Sequence, residues 1–115
     1  MEALQLAKEA AKALDDKKGI DIKVLKVEDL TVLADYFVIA SGTSNTHVGA
    51  LADEAEARLD KLGIKPLRRE GEKTRNWVLL DYGSTVIHVF YPEAREFYAL
   101  DRLWADAETV PVDLT

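Results

Sequence analysis

Residues 76–90, NWVLLDYGSTVIHVF, predict a β-hairpin around which the rest of the chain is arranged. Two runs rich in β-branched and aromatic residues, WVLLD and TVIHVF, flank a turn in which Gly83 can adopt a positive φ. Strand alternation puts Trp77 and Leu79 on the side opposite to Val78. Both sides are largely apolar, so both must be covered. The chain's own helices can cover one side, and what covers the other is the functional question.

The bulk composition indicates one globular domain. The 115 residues, 48% of them hydrophobic, are enough for a single core, so we predict one domain over residues 1–115, with residues 106–115 as a loosely held tail. Cysteine is absent, which excludes disulfides and cysteine nucleophiles. The N-terminal segment lacks the pattern of a signal peptide, and no run approaches the ~18 apolar residues of a membrane span. We therefore expect a cytoplasmic protein that has no membrane partner.

The charge is acidic overall and unevenly distributed. A net charge of −6 disfavours nucleic acid as a partner of the whole surface and suits a basic partner. Residues 93–115 contain six acids and two arginines, whereas residues 65–75 contain five bases and two acids. The five bases are Lys65, Arg68, Arg69, Lys73 and Arg75. They are candidates for contact with RNA, although a charge run of this kind usually marks a solvated surface.

Hydrophobic periodicity predicts three helices and five strands. The helices are expected at residues 2–18, from a cap at residues 43–45 to residue 62, and from Pro92 onwards. The strands are expected at residues 20–27, 36–40 and 64–70 and in the two arms of the hairpin. The fold class is α/β: a single domain with a mixed five-stranded sheet and helices packed mainly on one face.

The turn SGTS, from Ser41 to Ser44, is a candidate phosphate site. Free N–H groups between a strand and a helix start can bind phosphate, and this turn resembles the Gly-Ser turn of nucleotidyltransferases. Those enzymes also need a pair of metal-binding acids on a neighbouring strand, and no predicted strand contains Asp-x-Asp or Glu-x-Asp. A plain helix cap is the simpler interpretation. A nucleotidyl- or phosphoryl-transfer enzyme that uses this turn is the alternative function.

The two histidines give little support for catalysis. His47 falls in the first turn of the second helix and His88 in a strand, without the spacing of a metal site. A triad of Ser44, His47 and Asp81 can be drawn, but no nucleophile elbow supports it. We predict no metal and no cofactor.

The aromatic residues point to a protein interface. Seven of the nine lie in residues 77–115, and Trp77 and Tyr98 stand beside Arg75 and Arg95. Trp, Tyr and Arg are the residue types that anchor protein–protein interfaces. We therefore interpret Trp77 and Tyr98 as interface residues.

Two longer blocks resemble the Iojap family, the ribosomal silencing factors. They are DYFVIASGTSNTHVGALADEAE at residues 35–56 and REGEKTRNWVLLDYGSTVIHVFYPEAREFYALDRLW at residues 69–104. The resemblance extends from residue 2 to about residue 110. Ser84 stands where the family often has an acid, and Asp101 where it often has glutamate.

The resemblance implies a function that is not enzymatic. Family members bind ribosomal protein fourteen of the large subunit, block joining of the small subunit and silence translation when nutrients are short. Relatives in organelles are linked to assembly of the large ribosomal subunit. The implied fold is an α/β sheet related to the nucleotidyltransferases but without their catalytic acids.

A docking mechanism follows from combining the resemblance with the residues. An acidic domain approaches a basic ribosomal protein by electrostatic steering and then docks through its uncovered sheet face. The expected partner-binding residues are Trp77, Leu79, Asp81, His88, Arg95 and Tyr98. Because an apolar patch of this kind is a liability when bare, we expect a homodimer that hides it in the free protein.

Overall fold

The computed structural model describes residues 1–71, 76–98, 102 and 104–112, except for the side chains of residues 96–98. Its elements are α1 (Ala3–Asp16), β1 (Ile20–Lys26), β2 (Tyr36–Ser41), α2 (Asn45–Lys61), β3 (Arg68–Glu70), β4 (Trp77–Asp81), β5 (Thr85–Phe90), α3 (Pro92–Tyr98) and β6 (Glu108–Val110). The predicted class, a single α/β domain with a mixed sheet, is confirmed. No helix in this described part of the chain is long and apolar enough to cross a membrane.

The sheet has the strand order β3-β4-β5-β2-β1-β6. The pair β2–β5 is parallel, and the other pairs of described strands are antiparallel. The predicted hairpin is confirmed as β4 and β5, with Trp77 opposite Phe90 and Leu79 opposite His88. Gly83 has a φ of 82°, and its N–H donates to Oδ1 of Asp81 at 2.8 Å. The turn therefore uses both the conformational freedom of glycine and a local side-chain hydrogen bond.

A sixth strand is present where five were predicted. β6 lies within residues 106–115, which were expected to be a loose tail, and it pairs antiparallel with β1. Val110 lies opposite Val24 and packs with Val112 against the main core. A strand of three residues followed by Pro111 is too short for its alternation to be recognised in the sequence.

The first face of the sheet is covered by α1 and α2. Alanines such as Ala7, Ala10 and Ala52 are fully buried in this layer and let the helices approach the sheet closely. The hairpin contributes to this layer four apolar side chains without exposed surface: Val78, Leu80, Ile87 and Val89. Period-two alternation places all four on the same side, as the sequence predicts. This layer is the main hydrophobic core.

The second face carries a smaller cluster that includes aromatic residues. Its buried members are Leu25, Val27, Ala34, Phe37, Ile39, Val86 and Phe90. Ala94 of α3 and then Trp104 and Ala107 pack against this cluster, and the rings of Trp104 and Phe37 meet edge to face at 5.0 Å. The expectation of an uncovered face therefore needs correction, because the chain after β5 folds back over part of it.

Candidate partner-binding surface

A half-exposed part of the second face lies on β4, the strand next to the edge strand β3. Trp77, Leu79 and Asp81 alternate along it with two buried residues, and all three are half-buried. We call these three residues the Trp77 surface. Asp81, at the end of the strand, already has partners within the chain. Its carboxylate accepts hydrogen bonds from the Gly83 N–H and from Nε of Arg68. Trp77 and Leu79 supply the apolar part.

Trp77 is held by a layer of rings. Its ring centroid lies 5.0 Å from that of Phe90 and 5.9 Å from that of His88, with interplanar angles of 31° and 38°. Its Nε1–H donates to Nδ1 of His88 at 3.2 Å. Phe37 contacts the far side of His88 edge to face at 4.9 Å. An aromatic side chain that is ordered before binding loses less conformational entropy when a partner arrives.

Gly71 supports the strand that carries Trp77. Its φ is 93°, and a Cβ at this position would lie 2.0 Å from the backbone oxygen of Trp77. Both the positive φ and the close approach require glycine. Gly71 lies within the second block that resembles the family, but the sequence pattern alone does not show why glycine is needed there.

His88 lies beneath the Trp77 surface. It was expected to contact the partner, but only 6% of it is exposed. Burial lowers the pKa of His88 to about 4, so the ring is neutral at neutral pH. In the free protein His88 is therefore too buried for the direct contact that was predicted.

Arg95 is also buried, with 7% exposure, and the same correction applies to it. Its Nη1 donates to Oγ of Ser41 at 2.9 Å, which ties α3 to the end of β2. The contact joins α3 to the sheet beside Ala94, which packs on the second face. The side chain of Tyr98, the remaining predicted partner-binding residue, lies outside the described residues.

The predicted basic cluster is compensated by acids where the structure describes it. Lys65 pairs with Asp60 at 2.9 Å. Arg68 forms ion pairs with Glu70 and Asp81. Arg69 forms ion pairs with Asp53 and Glu56. Lys73 and Arg75 lie outside the described residues. The described part of the cluster therefore offers little uncompensated charge to RNA phosphates.

The turn from Ser41 to Ser44 uses its polar groups internally. Ser41 accepts from Arg95, and Oγ of Ser44 accepts the N–H of His47 at 3.0 Å, which is the predicted helix cap. The Thr43 N–H donates to Nδ1 of His47 at 2.8 Å, which leaves Nε2–H of that ring to donate to the Lys17 carbonyl at 2.7 Å. The Gly42 N–H donates to the Phe90 carbonyl. These groups hold the chain together at positions where a phosphate site would need free donors.

The arrangement as a whole is an α/β sheet that presents a half-exposed aromatic side chain packed on buried rings. Across the described ranges, no group of three His, Cys, Asp or Glu residues could hold a metal ion. The family model "Ribosomal silencing factor during starvation" matches residues 1–115, and the chain belongs to this family. The predicted resemblance is thereby confirmed. The family is one of regulatory factors, which also confirms the prediction that the protein is not an enzyme.

Relatives and a solved structure agree with this assignment. Ribosomal silencing factor RsfS of Bacillus subtilis is 40% identical over 113 residues, which cover 98% of this chain and 96% of the relative. The mouse protein named mitochondrial assembly of ribosomal large subunit protein 1 is 36% identical over 87% of this chain and 50% of its own length. A crystal structure from Chromobacterium violaceum has a TM-score of 0.89 at 35% identity and covers all of this chain and 95% of that one.

Proposed function

We propose that this protein silences translation by binding ribosomal protein fourteen of the large ribosomal subunit in the cytoplasm and sterically blocking joining of the small subunit. The observation that carries the proposal is the Trp77 surface, where a tryptophan held by neighbouring rings and a leucine stand half-exposed side by side on one strand. A large aromatic side chain of this kind is a typical anchor of a protein interface. Membership of the ribosomal silencing factor family supports a ribosomal partner.

Charge supports the choice of a basic protein as the partner. The net charge of −6 speeds the encounter with a basic surface and repels bare nucleic acid. An interface of ordinary size would bury on the order of 1,200–2,000 Å² in total, enough to exclude a competing subunit from the same place. The Trp77 surface would lie near its centre.

A role in assembly of the large subunit fits the same binding event. The mouse relative is named for assembly of the mitochondrial large subunit. A factor that binds a large-subunit protein can act on a maturing particle as well as on a finished one. We therefore propose both activities for a single surface.

The substitution Trp77→Ala tests the proposal. We expect it to weaken binding to the isolated ribosomal protein by about 2 kcal/mol or more, roughly thirtyfold, because truncation of a central aromatic anchor carries a cost of this size. Titration of both proteins by calorimetry measures the effect. The same variant should no longer prevent the formation of joined ribosomes from purified subunits, as followed by sedimentation.

Leu33→Ala is the matched control, because Leu33 is 72% exposed and lies in the loop between β1 and β2. It should bind like the unaltered protein. Equal affinities of Trp77→Ala and the unaltered protein, with circular dichroism unchanged, would refute the assignment of the surface.

We also propose that the free protein is a homodimer that hides the Trp77 surface. Burial of exposed apolar area favours self-association, and the ribosomal partner would compete for the same residues. Light scattering at micromolar concentration should give twice the mass of the 12.8 kDa chain, and Trp77→Ala should shift the mass toward the monomer. A monomer at all accessible concentrations would contradict this part of the proposal.

A further inference from the structure

The hydrogen bond between Trp77 and His88 fixes the protonation of the histidine ring. Nε1 of an indole can only donate, so Nδ1 of His88, 3.2 Å away, must be the acceptor. In a neutral imidazole the second nitrogen then carries the hydrogen. Nε2–H of His88 is therefore a donor, and it is buried without a hydrogen-bond partner in the described part of the chain.

A histidine in this arrangement has a cost that an apolar residue would avoid. The slot lies between Phe37 and Phe90, whose ring centroids are 4.9 and 6.0 Å from that of His88. Among the described residues nothing accepts from Nε2–H, and a buried unpaired donor costs about 1–3 kcal/mol, whereas a phenylalanine or leucine in the slot would have no donor to satisfy. Filling space does not account for the imidazole. Its distinctive contribution is the acceptor that faces the indole.

The direction of this hydrogen bond determines what Trp77 shows to solvent. The indole N–H donates to the buried His88, and every other atom of this half-buried side chain is carbon, so a partner that contacts the side chain meets carbon. A surface of aromatic carbon is recognised by aliphatic side chains or by a guanidinium group stacked on the ring. It does not pair with a hydrogen-bond acceptor.

We infer that His88 is a positioning residue that turns the Trp77 indole N–H inward, so that the partner meets ring carbon through an aliphatic or stacked arginine side chain. The inference rests on the proposed role of Trp77 and specifies the chemistry of that contact. A basic partner can supply such an arginine, which agrees with the acidic charge of the domain.

The first test uses the free protein and needs no partner. In uniformly ¹⁵N-labelled protein at neutral pH, we expect a nitrogen–nitrogen coupling across the hydrogen bond between Nε1 of Trp77 and Nδ1 of His88. The ¹⁵N shifts of His88 should show a neutral ring with its hydrogen on Nε2. A hydrogen on Nδ1, or the absence of the coupling, would overturn the inference and leave the proposed binding surface standing.

The second test repeats the measurement with the isolated ribosomal protein bound. The coupling should persist in the complex, because the partner does not take over the N–H. Its loss, together with a shift of the indole N–H toward a partner acceptor, would overturn the inference. Unchanged binding by Trp77→Ala would instead refute the proposed function, so the two failures are distinguishable.

Variants of His88 separate positioning from simple packing. His88→Leu fills the slot but removes the acceptor, and we expect about five- to tenfold weaker binding, the equivalent of one neutral hydrogen bond. His88→Asn retains an acceptor near the former Nδ1 and should recover affinity to within about threefold. Binding is measured well below the melting temperature of each variant. Native affinity of His88→Leu, or equal losses in both variants, would contradict a positioning role.

Discussion

The two faces of the sheet are built differently, and the difference separates folding from binding. Under α1 and α2, the core consists of fully buried aliphatic side chains and alanines, and its partly buried tyrosines, Tyr36, Tyr82 and Tyr91, lie at its margin. On the second face, aromatic rings and a buried histidine lie under a short helix, and Trp77 and Leu79 are half-exposed. Full burial of aliphatic groups contributes mostly to stability. An ordered aromatic surface that is only half covered retains area for a partner.

Two adjacent leucines of β4 test most directly whether the two faces differ in this way. Leu80 is fully buried on the helix-covered face, whereas Leu79 is half-buried on the other face. Leu80→Ala should lower the free energy of unfolding by about 3 kcal/mol, since it removes buried methyl groups and leaves a cavity. Leu79→Ala should lower it by about 1 kcal/mol and mainly weaken partner binding. Urea unfolding measures the stability changes, and calorimetry measures the affinities.

The matched pair provides its own control, because the two variants remove the same atoms from neighbouring positions. If Leu80→Ala retains native affinity below its unfolding transition, stability and binding belong to different faces. Similar losses of stability in both variants would show that the second face is as much a part of the core as the first.

Acid should affect stability through the second face. The pKa of His88 is lowered by burial to about 4, whereas an unfolded histidine titrates near pH 6.5. Between these values the unfolded chain takes up a proton that the folded chain does not, so the free energy of unfolding decreases as the pH falls. The stability that depends on a neutral His88 is fully present above about pH 7. By pH 4 the free energy of unfolding has lost about 3 kcal/mol through this group.

Comparison with His88→Phe isolates the pH dependence that is due to His88. The carboxylates titrate in both proteins, so their effect on stability cancels in the difference. The stability difference between the two should change between pH 7 and 4 and stay constant above pH 7. Parallel stability curves across this range would mean that His88 is not held neutral by burial.

The sequence predicts the hairpin well because each arm alternates over at least five residues. The assignment of Leu80 and Leu79 to opposite faces follows from that alternation alone. The same reasoning fails for His88 and Arg95, since it gives the side of the sheet or helix but not what folds over it. The burial of Arg95 against Ser41 depends on the return of α3, a contact between residues 54 positions apart. Short β6 was missed for lack of a measurable period.

The smallest expected effect concerns the basic cluster at the β3 edge. Arg68 is paired with Asp81 and Glu70, and its side chain is 59% exposed. Exposed pairs of this kind contribute about 0–1 kcal/mol, so Arg68→Gln should change stability within that range. Because the charge is already compensated, the affinity for bare ribosomal RNA and the salt dependence of that affinity should not change measurably. A filter-binding titration at several salt concentrations measures both. A shallower salt dependence for the variant would show that Arg68 contacts phosphate, and the β3 edge would then be a second functional surface beside the one formed by Trp77.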